Sequence, residues 1–102
     1  MKPETTFTTL STWGGRARFS YRHDGSLALR YGSGRHCRVS AEHMERLRAE
    51  HRGQLVAVFG MEASLDAWTK EHVTRTRIAS YLAPALVELG FVERSGDRIR
   101  FL

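Results

Sequence analysis

Between Arg16 and Arg22 apolar and polar side chains alternate strictly: Ala17, Phe19 and Tyr21 fall on one face, and Arg16, Arg18, Ser20 and Arg22 on the other. A period of two is that of a half-buried strand. Residues 26–31 repeat the pattern with Leu27, Leu29 and Tyr31 on one face, and His23-Asp24-Gly25-Ser26 between the two runs is a hairpin signal. A two-residue Asp-Gly turn would set Arg22 opposite Leu27 and mix the faces. A three-residue loop with Gly25 in the left-handed region sets Tyr21 opposite Leu27 and Phe19 opposite Leu29, which keeps one face apolar. That is the expected register, and it brings Arg18 beside Arg30 and Arg22 beside Ser26. Gly32-Ser33-Gly34 is a turn and 35–39 a third strand. Residues 1–12, rich in Thr and Ser and without a clear period, are a tail or an edge strand.

From Ser40 the period lengthens. Ser40 suits an N-cap, with Glu42 and His43 in the first turn, Met44 and Leu47 facing inward, and a helix to about His51 that Gly53 ends. Residues 54–59 form a short apolar strand and 60–63 a connection. Ser64 suits a second N-cap, with Asp66 placed for the helix dipole, and the helix 65–72 buries Leu65 and Trp68. Val73 and Thr74 make a corner with Thr74 as the third N-cap. A longer helix, 75–89, carries Ile78, Leu82, Leu86 and Leu89 at helical spacing, and Gly90 stops it. Pro84 lies inside this helix, where it removes a backbone hydrogen bond and is expected to kink or break it. Residues 91–94 and 98–102 form a hairpin around Ser95-Gly96-Asp97.

The whole is an α+β chain of 102 residues: an N-terminal antiparallel β-hairpin or three-stranded sheet (1–39), then helices and a C-terminal hairpin (40–102). One domain is expected at this length. No run approaches a membrane span, and the N-terminus lacks the apolar stretch of a secretory signal. The only cysteine is Cys37, so no intrachain disulfide is possible, and a cytoplasmic location is expected.

Charge adds a direction. The formal net charge is +5. Arg16, Arg18, Arg22, Arg30, Arg35 and Arg38 face one acid, Asp24, within residues 16–38, while the rest of the chain carries ten basic and ten acidic side chains. The excess therefore sits in one short segment. A basic surface favours polyanions through phosphate neutralisation and counterion release. The arginine face of the hairpin, Arg16, Arg18, Arg22 and Arg30, is a candidate for a phosphate backbone or an acidic protein. It is also explained as a charged face that prevents aggregation.

The order from Ser40 is helix, short strand, helix, tight corner, helix, strand, turn, strand. The run Arg77-Ile78-Ala79-Ser80-Tyr81-Leu82-Ala83-Pro84-Ala85-Leu86-Val87-Glu88-Leu89-Gly90-Phe91-Val92-Glu93-Arg94 resembles the recognition helix and following strand of winged helix–turn–helix transcription regulators. The resemblance implies a DNA-binding domain whose helix 75–89 enters the major groove near its N-terminus. Thr74, Arg75, Thr76 and Arg77 would then meet bases or phosphates, with Ser80 and Tyr81 next along the helix. Arg98 and Arg100 on the wing would touch phosphates or the minor groove. Arg75 and Arg77 are also explained as solvated residues, Arg75 paired with Glu71. Double-stranded DNA is the expected partner, and homodimerisation is common among such regulators.

Other chemistries find little support. His36, Cys37 and His43 lack metal-ligand spacing, and neighbours on a strand point to opposite faces. Cys37 has no activating partner, no serine sits on a nucleophile elbow, and Gly32-Ser33-Gly34 leads to a strand rather than a helix. No enzyme and no cofactor are expected. The rival is a protein–protein adaptor, or a small phage or mobile-element protein acting on a host complex. An exposed surface of Trp13, Tyr81 and Val87 would favour the adaptor. Arginines of the hairpin and of helix 75–89 on one face would favour nucleic acid.

Overall fold

The computed structural model describes residues 7–102, so the expectations for residues 1–6 lie outside the described residues. The chain forms β1 (Thr8–Ser11), β2 (Arg18–His23), β3 (Leu27–Tyr31), β4 (Arg35–Val39), α1 (Ala41–His51), β5 (Leu55–Ala57), α2 (Leu65–His72), α3 (Ala79–Glu88), β6 (Val92–Ser95) and β7 (Arg98–Phe101). Two antiparallel sheets result, in the orders β1-β2-β3-β4 and β5-β7-β6.

The first sheet has four strands rather than the two or three expected. Residues 8–11 join as its edge because Leu10 continues the apolar face opposite Phe19 while Thr9 and Ser11 stay outside. Between β2 and β3 the loop has three residues, as expected, and Gly25 is left-handed at φ +99°. The register is nevertheless displaced by two residues. His23 faces Leu27, Tyr21 faces Leu29 and Ser20 faces Arg30. The loop closes across Asp24 and Ser26: the Asp24 N–H donates to the Ser26 carbonyl at 3.0 Å, and the Ser26 hydroxyl to the Asp24 carboxylate at 2.9 Å. A shift of two preserves the alternation, so Phe19, Tyr21, Leu27, Leu29 and Tyr31 still share the buried face. Arg16 falls in the β1–β2 loop, before β2 begins.

Helices α1 and α2 follow their caps. The hydroxyl of Ser40 accepts from the His43 N–H at 3.1 Å, and that of Ser64 from the Ala67 N–H at 3.0 Å. Trp68, on the inner side of α2, donates its indole N–H to Glu50 of α1 at 2.9 Å and packs among His43, His51 and His72. The short strand β5 does not stand apart from the C-terminal hairpin. It pairs with β7, setting Val56 beside Ile99, both buried. The hairpin turn is Gly96-Asp97, with Gly96 at φ +65°.

α3 starts four residues later than the spacing suggests. The Thr74 hydroxyl accepts from the Thr76 N–H at 3.3 Å, which holds 74–76 in a turn. Ile78, fully buried, anchors the helix start without any side-chain cap. Thr74, Arg75, Thr76 and Arg77 therefore lie in the α2–α3 connection, not in a first helical turn. The end of α3 is as expected. The Phe91 N–H reaches the Leu86 carbonyl and the Gly90 N–H the Val87 carbonyl, each at 3.0 Å, with Gly90 at φ +80°.

Pro84 does not break α3. With no N–H, it leaves the Ser80 carbonyl without a helical donor. The backbone N–H of Trp13, in the β1–β2 loop, supplies one at 2.8 Å. Trp13 is buried there, and the Arg94 guanidinium lies 4.0 Å above its ring. The first sheet thus packs on α3, and one apolar cluster runs through both parts of the chain, from Phe19, Leu27 and Leu29 to Leu82, Leu86 and Phe101. No helix among the described residues is long and apolar enough to cross a membrane.

Two predictions come from this packing. Trp13→Ala is expected to cost about 3 kcal/mol in urea unfolding and to leave a single transition. Two separate transitions in the wild type would contradict a shared core. The second concerns Glu50. The Trp68 N–H, then the Arg46 guanidinium, hold its carboxyl below the ordinary glutamate value. A carboxylate depressed in the folded state contributes stability above its unfolded pKa and loses it as pH falls through the folded pKa. The difference in Tm between wild type and Glu50→Gln should thus hold steady from neutrality to the ordinary glutamate range and shrink below it. A difference independent of pH would exclude this charge effect.

Candidate nucleic-acid interface

The outer face of the first sheet is built by alternation. With Phe19, Tyr21, Leu27, Leu29 and Val39 turned into the core, Arg18, Ser20, Arg22, Arg30, His36 and Arg38 must face the other way. The observed register staggers the cations. Arg18 stands opposite Ser11, Arg30 between Ser20 and His36, and Arg38 opposite Ala28. The direct Arg18–Arg30 opposition expected from sequence does not form, which removes its repulsive contact. Both arginines instead line an open hollow of about 460 Å³ together with Thr9, Ser20, Arg35 and His36.

Phe7 lies on the same face. The Arg30 guanidinium sits 3.9 Å from its ring centre and that of Arg22 5.2 Å. At the far end of β3, Arg35 stands 5.8 Å over the ring of Tyr31. Arg22 also reaches Asp24 at 3.9 Å. Among the described residues, Arg18, Arg30, Arg35 and Arg38 have no ion pair. Asp24, whose carboxyl is held below its ordinary value mainly by the Ser26 hydroxyl, is the one acid between Phe7 and Ser40.

The second candidate surface is placed differently from the expectation. α3 carries no basic residue, and Glu88 alone in it is fully on the surface. Tyr81 stacks on Tyr31 with ring centres 4.3 Å apart and planes 14° from parallel, and it meets Phe19 at 5.6 Å. The Ser80 carbonyl is occupied by Trp13. These two residues hold the sheet against the helix and are not presented to a groove. Trp13 is buried and Val87 half-buried, so the exposed Trp13–Tyr81–Val87 surface that would mark an adaptor does not form either.

Arg75 and Arg77 are exposed in the connection before α3. Arg77 approaches the buried Asp66 carboxylate at 3.9 Å and the Phe59 ring at 5.4 Å, while Lys70 bonds the other Asp66 oxygen at 3.1 Å. Arg75 lies beside Lys70 and Glu71 without the expected ion pair to Glu71 among the described residues. Thr74 is committed to its own turn and Thr76 is exposed. On the wing, Arg98 and Arg100 point outward, with Arg100 opposite both Glu93 and Leu55.

Sequence reasoning named Arg16, Arg18, Arg22 and Arg30 for the sheet face. It set Ser20 on that face but missed Thr9, Phe7, His36 and Arg38 there and Arg35 at the strand end, although the alternation in 35–39 already puts His36 and Arg38 on the side away from Cys37 and Val39. Cys37 is half-buried against Leu29, and burial pushes its thiol pKa up, which makes it a poor nucleophile. No group of three or more His, Cys, Asp or Glu side chains suited to a metal occurs among the described residues. The chain matches no protein-family model, no curated protein and no solved structure.

Proposed function

We propose that this is a nucleic-acid-binding protein without catalytic activity, whose contact surface is the outer face of the β1–β4 sheet. The observation that carries this is the cluster of Arg18 and Arg30, with Arg35 at the strand end and no acid among them, around one open hollow that His36 and the hydroxyls of Thr9 and Ser20 also line. Guanidinium groups and hydroxyls are the usual phosphate contacts. The only cysteine supports a reducing, cytoplasmic setting.

Residues 40–102 are read as a winged helix. The order of elements from α1 to β7 supports this, as does the pairing of β5 with the C-terminal hairpin. Its third helix is then a core helix under the first sheet, so insertion of α3 into a major groove is not part of the proposal. The α2–α3 connection, with Arg75 and Arg77, and the wing, with Arg98 and Arg100, are auxiliary phosphate contacts at most.

The second reading is a protein–protein adaptor or a homodimer, favoured by one observation. Among the described residues the exposed large apolar side chains, Leu55, Phe59, Met61 and Leu102, lie in β5, the connection after it and just past β7, and Met61 is 96% exposed. Concentration-dependent association lost in Met61→Ser/Phe59→Ser would favour it.

The test is the salt dependence of binding to a labelled oligonucleotide, followed by anisotropy. Affinity should fall steeply with salt. Arg18→Ala/Arg30→Ala should weaken it and lower the slope of log K against log salt by about 1.4–1.8, the value for two lost phosphate contacts. Arg75→Ala/Arg77→Ala should have the smaller effect. Absence of binding at low salt defeats the proposal, and a larger loss in the Arg75/Arg77 variant moves the interface to the α2–α3 connection.

A further inference from the structure

Resting on that reading, we infer that the target is single-stranded nucleic acid laid across the β1–β4 sheet, with an unpaired base stacked at Phe7. Three features of the face point there.

The first is width. Four strands about 4.8 Å apart span about 14 Å between the outer backbones, before side chains are added. The major groove of B-DNA is about 12 Å wide and admits one helix or a two-stranded ribbon. The sheet face cannot enter it. The one helix that the sequence offers for that task, α3, is covered by the same sheet through Tyr31, Tyr81 and Trp13.

The second is a flat aromatic ring set among cations. Phe7 carries the Arg30 guanidinium at 3.9 Å and that of Arg22 at 5.2 Å. Arg30 also lines the neighbouring hollow with Arg18, Ser20, Thr9 and His36. In a duplex the base faces are hidden and only phosphates reach such a surface. In a single strand the bases are free to stack on aromatic rings and on guanidinium planes.

The third is the openness of the hollow. Its cations rise from β2, β3 and the start of β4, so they border a track across the strands. A flexible strand follows such a track while its phosphates meet successive arginines. A rigid duplex touches a flat face along one tangent only.

The experiment compares a labelled single-stranded oligonucleotide with the same strand annealed into a blunt duplex, using the full chain. The single strand should bind at least about tenfold more tightly. Phe7→Ala should weaken single-strand binding by about fivefold to a hundredfold, the range for one lost base–aromatic stack, and leave duplex binding unchanged. Phe7→Leu, which keeps an apolar cover over the sheet but no aromatic plane, should show the same loss with the thermal transition of the wild type. Equal or tighter binding of the duplex overturns the inference and leaves the nucleic-acid reading standing, as does single-strand binding that Phe7→Leu does not weaken. Binding of neither probe overturns both.

Discussion

The fold turns on a carbonyl that a proline leaves unpaired. Pro84 sits in the middle of α3, and its missing N–H frees the Ser80 oxygen on the side of the helix facing the first sheet. A buried carbonyl without a donor costs roughly 1–3 kcal/mol. The Trp13 N–H removes that cost at 2.8 Å and in doing so sets where the β1–β2 loop must lie. The rest of the docking follows from this position. The Trp13 ring falls under Arg94 of β6, and Tyr81, one residue after Ser80, meets Tyr31 and Phe19. A residue that weakens a helix alone becomes the point at which two parts of one core are registered.

That docking decides what each surface can do. One face of α3 is spent on the sheet, and the helix carries no cation. The sheet has one side closed by α3, while on the other Arg18, Arg30, His36 and Arg38 are exposed. Arg18, Arg22, Arg30 and Arg38 stand on that side because the alternation that buries Phe19, Leu29 and Val39 leaves them nowhere else.

Much of this was legible in the chain. The Ser40 and Ser64 caps, the α1 and α2 boundaries, the Gly90 stop and the three-residue β2–β3 loop all follow from local chemistry, and local chemistry decided them. The errors arose where a distant partner decides. The register of β2 on β3 depended on which side chains closed the loop, and Ser26 rather than His23 did so. The start of α3 was misplaced because Thr74 suits an N-cap as well as it suits a turn, and the burial of Ile78 selected the turn. Pro84 was recognised as a defect, but nothing in its neighbourhood announces that a loop some seventy residues earlier supplies the missing donor. For the same reason Ser80 and Tyr81 were assigned to a groove when they face the sheet. The arginine face needs only a period of two, and the same period extends it to His36 and Arg38.

A charged face needs no ligand to exist, so the sign and spacing of its charges carry the weight. A surface that serves solubility alone mixes cations and anions. Here the described part of the sheet carries one acid, Asp24, at a turn, and that acid is engaged by Ser26 and Arg22. Two like unit charges about 6 Å apart in water repel by about 0.7 kcal/mol, so a cluster of guanidinium groups resists folding slightly at every close pair. The staggered register keeps that repulsion bearable by placing Ser20, Ser11 and Ala28 opposite the arginines. It also leaves the cations separated by hydroxyls at strand spacing, an arrangement that a chain of phosphates relieves by neutralising each charge in turn. The same stagger that makes the sheet tolerable to itself sets the spacing on which the proposed phosphate contacts rest.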